Sequence, residues 1–214
     1  MLTKYYKKEI EKVMLSEYIE QYKTTIVHGE SGSGKSIFAV KELNDAGITP
    51  VYIDLDDNEI NEFETLDAKC ELLDGYDFLK DLIIFDDDEN IIELNNELIE
   101  HLKDKVVIID TWTLFSGFCG SEYKAYDITK ILNKNNITVI ILAHTIPYSG
   151  KDDKPEIADK IYRHIKARLH IRITKLKTKT EYHLIIEKLR GFLGNKIKLL
   201  RIESIDDEMD KLLN

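Results

Sequence analysis

Two cysteines, three prolines and a single tryptophan in 214 residues show what this chain does without. Cys70 and Cys119 stand far apart with no second thiol near either. That excludes a disulfide framework and a cysteine metal site, suits a reducing compartment, and assigns both thiols to core packing. No apolar run approaches the roughly 20 residues that a membrane span requires. The opening stretch from Met1 to Lys12 is rich in Lys and Glu and has no signal-peptide core, so a cytoplasmic location is expected. Low-complexity linkers and internal repeats are missing too. What remains, 43% hydrophobic and 33% charged, is the composition of a soluble globular protein large enough for one generous domain.

The net charge of −10 argues against a surface coated for nucleic acid, but it hides an asymmetry. From Glu42 to Asp104 acids dominate, with Asp54, Asp56, Asp57, Asp86, Asp87, Asp88 and Glu89 in clusters. From Lys151 to Arg201 the sign reverses through Lys160, Arg163, Lys166, Arg168, Arg172, Lys175, Lys177 and Lys179. Such a division marks either a nucleic-acid or subunit contact or a solvated charged face.

One segment is specific. Gly29-Glu30-Ser31-Gly32-Ser33-Gly34-Lys35-Ser36 is a full G-x-x-x-x-G-K-[ST] phosphate-binding loop. Its context fits, because Thr24 to His28 reads as a short buried strand and Ile37 to Leu43 as the first turns of a helix. Glycines let consecutive backbone N–H groups turn inward on a phosphate, and the helix N-terminus adds positive partial charge. Residues Gly29 to Ile37 are therefore the expected nucleotide cradle, with Lys35 reaching the β- and γ-phosphates and the Ser36 hydroxyl completing the shell of a Mg²⁺ ion.

Strands and helices alternate along the remainder. Residues 4 to 22 carry Ile10, Val13, Met14, Tyr18 and Tyr22 at helical spacing, which predicts an N-terminal amphipathic helix over 1–22. Val51 to Leu55 reads as a strand ending in acids, Lys69 to Leu73 as a short strand, and Ile91 to Lys103 as a helix. Val106 to Asp110 is a β-branched run typical of a parallel strand buried on both faces. A helix at Glu122 to Asn133 leads to a second such run, Ile137 to Ala143, ending in His144. Leu169 to Leu176 and Tyr182 to Leu189 alternate as strands about a turn at Lys177 to Thr180, and Lys196 to Ile202 follows a further turn. The expected fold is α/β, with a mainly parallel central sheet flanked by helices and a C-terminal antiparallel hairpin extension. The core would run over 23–204, with a helical tail at 205–214.

Phosphoryl transfer needs positioning and charge neutralisation. Asp110, at the end of a strand of Walker B type, would hold Mg²⁺ directly or through water. Thr111 stands where many phosphate-loop families place a glutamate, so the group that orients the attacking water must come from elsewhere, and the acidic end of the strand at Asp54 to Asp57 is the natural source.

Phosphate loop, carboxylate after the next strand, apolar strand ending in Asp, polar residue ending the following strand, and a C-terminal hairpin with Lys-x-Arg-Gly together resemble the RecA-like ATPases. That group includes the RecA recombinase, hexameric replicative and plasmid RepA-type helicases, and small phage-encoded recombination ATPases. The resemblance covers about residues 24 to 202. It implies that Asp56 replaces the family's catalytic glutamate with a shorter acid, Asp57 or Asp54 being alternatives. It also implies that His144 senses the γ-phosphate, and that Lys188 and Arg190 reach into the nucleotide site of an adjacent subunit. ATP and Mg²⁺ are the implied cofactors, and a ring or filament of identical subunits the implied assembly. The loop Thr145 to Pro155 lies where the family contacts DNA, making Tyr148, Lys151, Lys154, Lys166 and Arg168 the candidates for single-stranded DNA, in recombination or replication of a phage or mobile element. A transporter ATPase is excluded because the chain has no Leu-Ser-Gly-Gly-Gln signature. Two alternatives stand: a small nucleotide kinase, and a RecA-like regulatory ATPase of circadian-clock type acting on protein partners.

Overall fold

The β-branched runs form the middle of one sheet. The structure, a computed structural model, describes residues 22–56, 68–86, 91–146, 154–165, 167–175, 179–188 and 196–204. The proposed N-terminal helix except Tyr22, together with Asp57, Tyr148, Lys151, Lys166, Arg190 and the tail 205–214, lies outside the described residues.

In chain order the elements begin with β1 (Thr24–Gly29), α1 (Lys35–Asp45), β2 (Val51–Asp54), β3 (Glu71–Asp74) and α2 (Gly75–Leu82). A small antiparallel pair follows, β4 (Ile83–Phe85) and β5 (Ile91–Leu94), then α3 (Asn96–Leu102), β6 (Val106–Asp110), α4 (Trp112–Phe118) and α5 (Glu122–Lys134). The rest is β7 (Thr138–Ile146), β8 (Lys154–Pro155), α6 (Asp159–His164), β9 (Ala167–Lys175), β10 (Lys179–Lys188) and β11 (Lys196–Ser204). Strands β3-β2-β6-β7-β1-β9 are parallel in that spatial order, and β10 and β11 extend the sheet antiparallel beyond β9. The expected parallel sheet with a C-terminal antiparallel extension is what the chain forms.

Both faces of the sheet are covered, which is why β6 is buried at every position. On one face Val107, Ile109, Val139 and Ile141 pack against Trp112 and Phe115 of α4 and Ile128 and Leu132 of α5. On the other, Ile108, Ile140 and Leu142 pack against Ala39, Val40 and Leu43 of α1. Each such side chain contributes about 1.5–3 kcal/mol on leaving water.

Local chemistry moves several boundaries. Ile91 to Lys103 is not one helix: Ile91–Leu94 pairs with β4, and Asn95 caps a shorter α3 by accepting from the Glu97 N–H at 3.0 Å. The β-branched start and the capping Asn outweigh the helical spacing. The strand expected at Lys69 to Leu73 runs instead over Glu71–Asp74, whose last residue caps α2 through the Asp77 N–H at 3.0 Å. Helix α2 starts hard against β2, since a Cβ on Gly75 would sit 2.3 Å from the Asp54 carbonyl oxygen. Glycine alone fits there.

Cys119 is a core residue as expected, whereas Cys70 is half-buried and packs only against the core's edge. Cys119 is 1% exposed, and burial pushes it up to about 12. Iodoacetamide at mildly alkaline pH should therefore leave Cys119 unmodified in the folded protein, its thiolate fraction roughly a thousand-fold below that of a free thiol. Peptide mass mapping before and after urea unfolding checks this, and rapid native labelling would contradict the packing.

Candidate nucleotide-binding site

Every parallel strand in the centre of the sheet ends at one edge, and the loop leaves β1 at that edge. Gly29 packs so closely on β9 that a Cβ would lie 2.4 Å from the Ile171 carbonyl oxygen and 2.7 Å from Ser33 Oγ. Gly32 and Gly34 take φ values of 69° and 78°, which side chains strongly disfavour. Gly34 is the N-cap of α1, with no side-chain capping bond and no acid in the first turn. The first turn's N–H groups are thus not offset by a carboxylate of the helix's own.

Ser33 is 3% exposed, and its hydroxyl has no hydrogen-bond partner among the described residues. A buried orphan hydroxyl beside two left-handed glycines and a helix N-terminus is a cradle whose donors fit a phosphate. Lys35 Nζ donates to the Glu30 carbonyl at 2.9 Å, folding back across the loop. Burial lowers the lysine's pKa, and Asp110 and Asp56 oppose that shift.

Opposite the loop, β6 delivers Asp110, 2% exposed, in register with Asp54 of β2. Ser36 Oγ donates to Asp110 Oδ2 at 2.7 Å, and the Tyr52 hydroxyl donates to the same oxygen. A hydroxyl and a carboxylate held together are hard oxygen ligands that fit Mg²⁺. Burial first, and the Asp110 charge second, push the Tyr52 phenol far up, so it stays a donor. The main chain is tied here as well, Leu55 N donating to the Asp110 carbonyl at 2.7 Å.

Asp56 and His144 stand at the mouth, Nε2 to Oδ2 being 3.8 Å. His144 pairs with Gly29 two residues before the end of β7, so loop and histidine are carried by one strand pair. Together the loop, α1 through Ile37, Asp56, Asp110 and His144 enclose a cleft of about 220 Å³. The cradle, Lys35, Ser36, Asp56, Asp110 and His144 are therefore brought together.

Of the other expected residues, the structure describes Lys154, Arg168 and Lys188. Lys188 pairs in register with Arg168, at the end of the sheet away from the cleft. Arg168 itself is half-buried, its guanidinium carbon 4.1 Å from the Tyr162 ring centre. The β7–β8 loop is gathered at its base: Thr145 and Ile146 pair with Pro155 and Lys154, and Glu156 N donates to the His144 carbonyl at 2.8 Å. Glu156 Oε2 also accepts from Thr113 Oγ1 at 3.1 Å, joining the loop's return to the helix that follows Asp110. Lys160 and Arg163 are exposed on α6. Tyr52 was not legible as a site residue. Its signal is an aromatic side chain inside the aliphatic run Val51-Tyr52-Ile53, two positions before an acid.

Searches by sequence find no matching family model and no matching curated protein. Solved structures do match. A KaiC-like protein from the hyperthermophilic archaeon Pyrococcus horikoshii OT3 superposes with a TM-score of 0.52 at 16% identity, over 85% of this chain and 88% of that one. The RadB recombinase gives 0.57 at 17% identity, over 85% and 90%. The fold is RecA-like. Within the RecA-like sheet the cleft lies where α/β sheets gather ligands, outside the carboxyl ends of the strands. Among the described residues no helix is long and apolar enough to cross a membrane.

Proposed function

We propose that this chain is an ATPase that binds ATP with Mg²⁺, hydrolyses it, assembles on itself and acts on single-stranded DNA in recombination or replication of a phage or other mobile element. The observation that carries the reading is the cleft, where Lys35, the Ser36–Asp110 pair, and Asp56 beside His144 converge from separate elements. Lys35 and the loop amides would bind the phosphates, and Ser36 with Asp110 would hold the metal, which neutralises phosphate charge when bound. Asp56 would accept the proton of the attacking water, with His144 beside it at 3.8 Å.

Lys188 stands away from its own cleft, which supports a role in a neighbouring subunit's site, shared with Arg190. Support for DNA as the partner comes from the resemblance at the β7–β8 loop and from the likeness to a recombinase. The phage setting rests on the resemblance to small phage-encoded RecA-like ATPases. A second reading, a regulatory ATPase acting on protein partners, draws support from the likeness to a KaiC-like protein.

Steady-state ATP hydrolysis with and without single-stranded DNA, over a range of protein concentrations, separates the two. Stimulation by DNA that rises with concentration is expected. Hydrolysis indifferent to DNA at every concentration would favour the regulatory reading, and its complete absence would overturn both.

A further inference from the structure

We propose that Tyr52 is a positioning residue for Asp110: its hydroxyl, delivered from the adjacent strand, fixes the carboxylate so that the Ser36–Asp110 pair is set to take a divalent cation. This rests on the ATPase reading. Tyr52 and Asp110 lie on one face of the sheet, because Tyr52 pairs with Ile108 and Asp54 with Asp110. Two residues along a strand is roughly 7 Å, about the reach of a tyrosine side chain. The ring therefore runs up the sheet and places its hydroxyl on Asp110 Oδ2, the oxygen that already accepts from Ser36. Ser36 and Tyr52 thus share one acceptor, and three residues from three elements meet at Asp110 Oδ2.

The ring's surroundings do not explain the hydroxyl. Tyr52 is fully buried among Val40, Leu43, Ile108 and Leu142, where phenylalanine would fill the same space. A phenol in such a core costs free energy unless its O–H is satisfied. Here the partner that satisfies it is the carboxylate at the metal-holding position. Two donors on one oxygen resist rotation of the carboxylate, since turning it breaks both bonds. With its proton given to Asp110, the Ser36 oxygen offers a lone pair to a cation. Tyr52 acts only through Asp110 and Ser36.

Groups that orient a metal's ligands from outside typically change metal affinity by about 10–100-fold when removed. The test uses the full chain and its Tyr52→Phe variant, which keeps the ring in its slot and whose folding is checked by a thermal melt. Binding of a fluorescent N-methylanthraniloyl ATP is measured in EDTA and across a Mg²⁺ titration. Expected are a metal-free affinity within about twofold of the parent and a Mg²⁺ midpoint raised roughly tenfold. In an Asp110→Asn background, Tyr52→Phe should produce no further shift. A folded Tyr52→Phe chain with the parent's Mg²⁺ midpoint would sink the proposal, as would an undiminished shift in the Asp110→Asn background. Nucleotide binding by the parent that ignores Mg²⁺ would overturn this inference alone, and no nucleotide binding at all would overturn the ATPase reading with it.

Discussion

Replacing Lys35 by alanine is expected to lower ATP hydrolysis by roughly 100–1,000-fold, the usual loss when one fixed donor to developing charge is removed. Lys35 is 6% exposed and its ammonium sits with the charges of Asp110 and Asp56, so its loss leaves two carboxylates without their cation and weakens the hold on the phosphates. Arginine should not rescue it. The guanidinium keeps the charge, but its planar fork does not fit where a compact ammonium folds back on the Glu30 carbonyl. Phosphate release in a single turnover, with circular dichroism to show an unchanged fold, is the measurement. A Lys35→Ala chain that hydrolyses ATP at the parent rate would remove the cleft from consideration as the active site.

The second large effect concerns stability. Trp112 heads the fully buried side chains by volume, and it packs edge-on to Phe115 with ring centres 6.0 Å apart. Trp112→Ala should destabilise the protein by about 3–5 kcal/mol, the range for emptying a large aromatic site. Against a typical total of about 5–15 kcal/mol, that is enough to leave a sizeable unfolded fraction. Trp112→Phe, which fills most of the volume, should lose much less. Because this is the only tryptophan, the variant must be followed by far-ultraviolet circular dichroism in a urea titration. A midpoint shifted no further by alanine than by phenylalanine would contradict the packing. The cavity would also open two residues from Asp110, so nucleotide affinity should fall with stability.

The parts of this fold that could be read from sequence were those fixed by short-range chemistry. The phosphate loop is legible because only glycine tolerates the backbone at Gly32 and Gly34, and the central strands because burial on both faces demands unbroken β-branched runs. Asp110 and His144 followed from their places as the polar residues that close two apolar runs. What stayed hidden depends on partners distant in sequence. The segment Ile91–Leu94 has helical spacing but is claimed by β4, and α4 begins at a tryptophan with no side-chain capping bond to announce it. Tyr52 reads as one more core aromatic until the β2–β6 register is known. The 3.8 Å approach of Asp56 to His144 likewise arises from two strands that do not pair with each other.

Strand β1 sits between β7 and β9, and its His28 bonds to Thr145, 117 residues further along. For a ribosome making this chain, the phosphate loop emerges well before β6, β7 and β9, the strands that wall it. Gly29 lacks its wall on β9 until Ile171 has been synthesised. Contacts of such long range are formed late and slowly. Nascent chains should therefore acquire nucleotide-dependent protease resistance only after β9 has left the exit tunnel, and until then the apolar strands β6 and β7 depend on chaperones to stay out of aggregates.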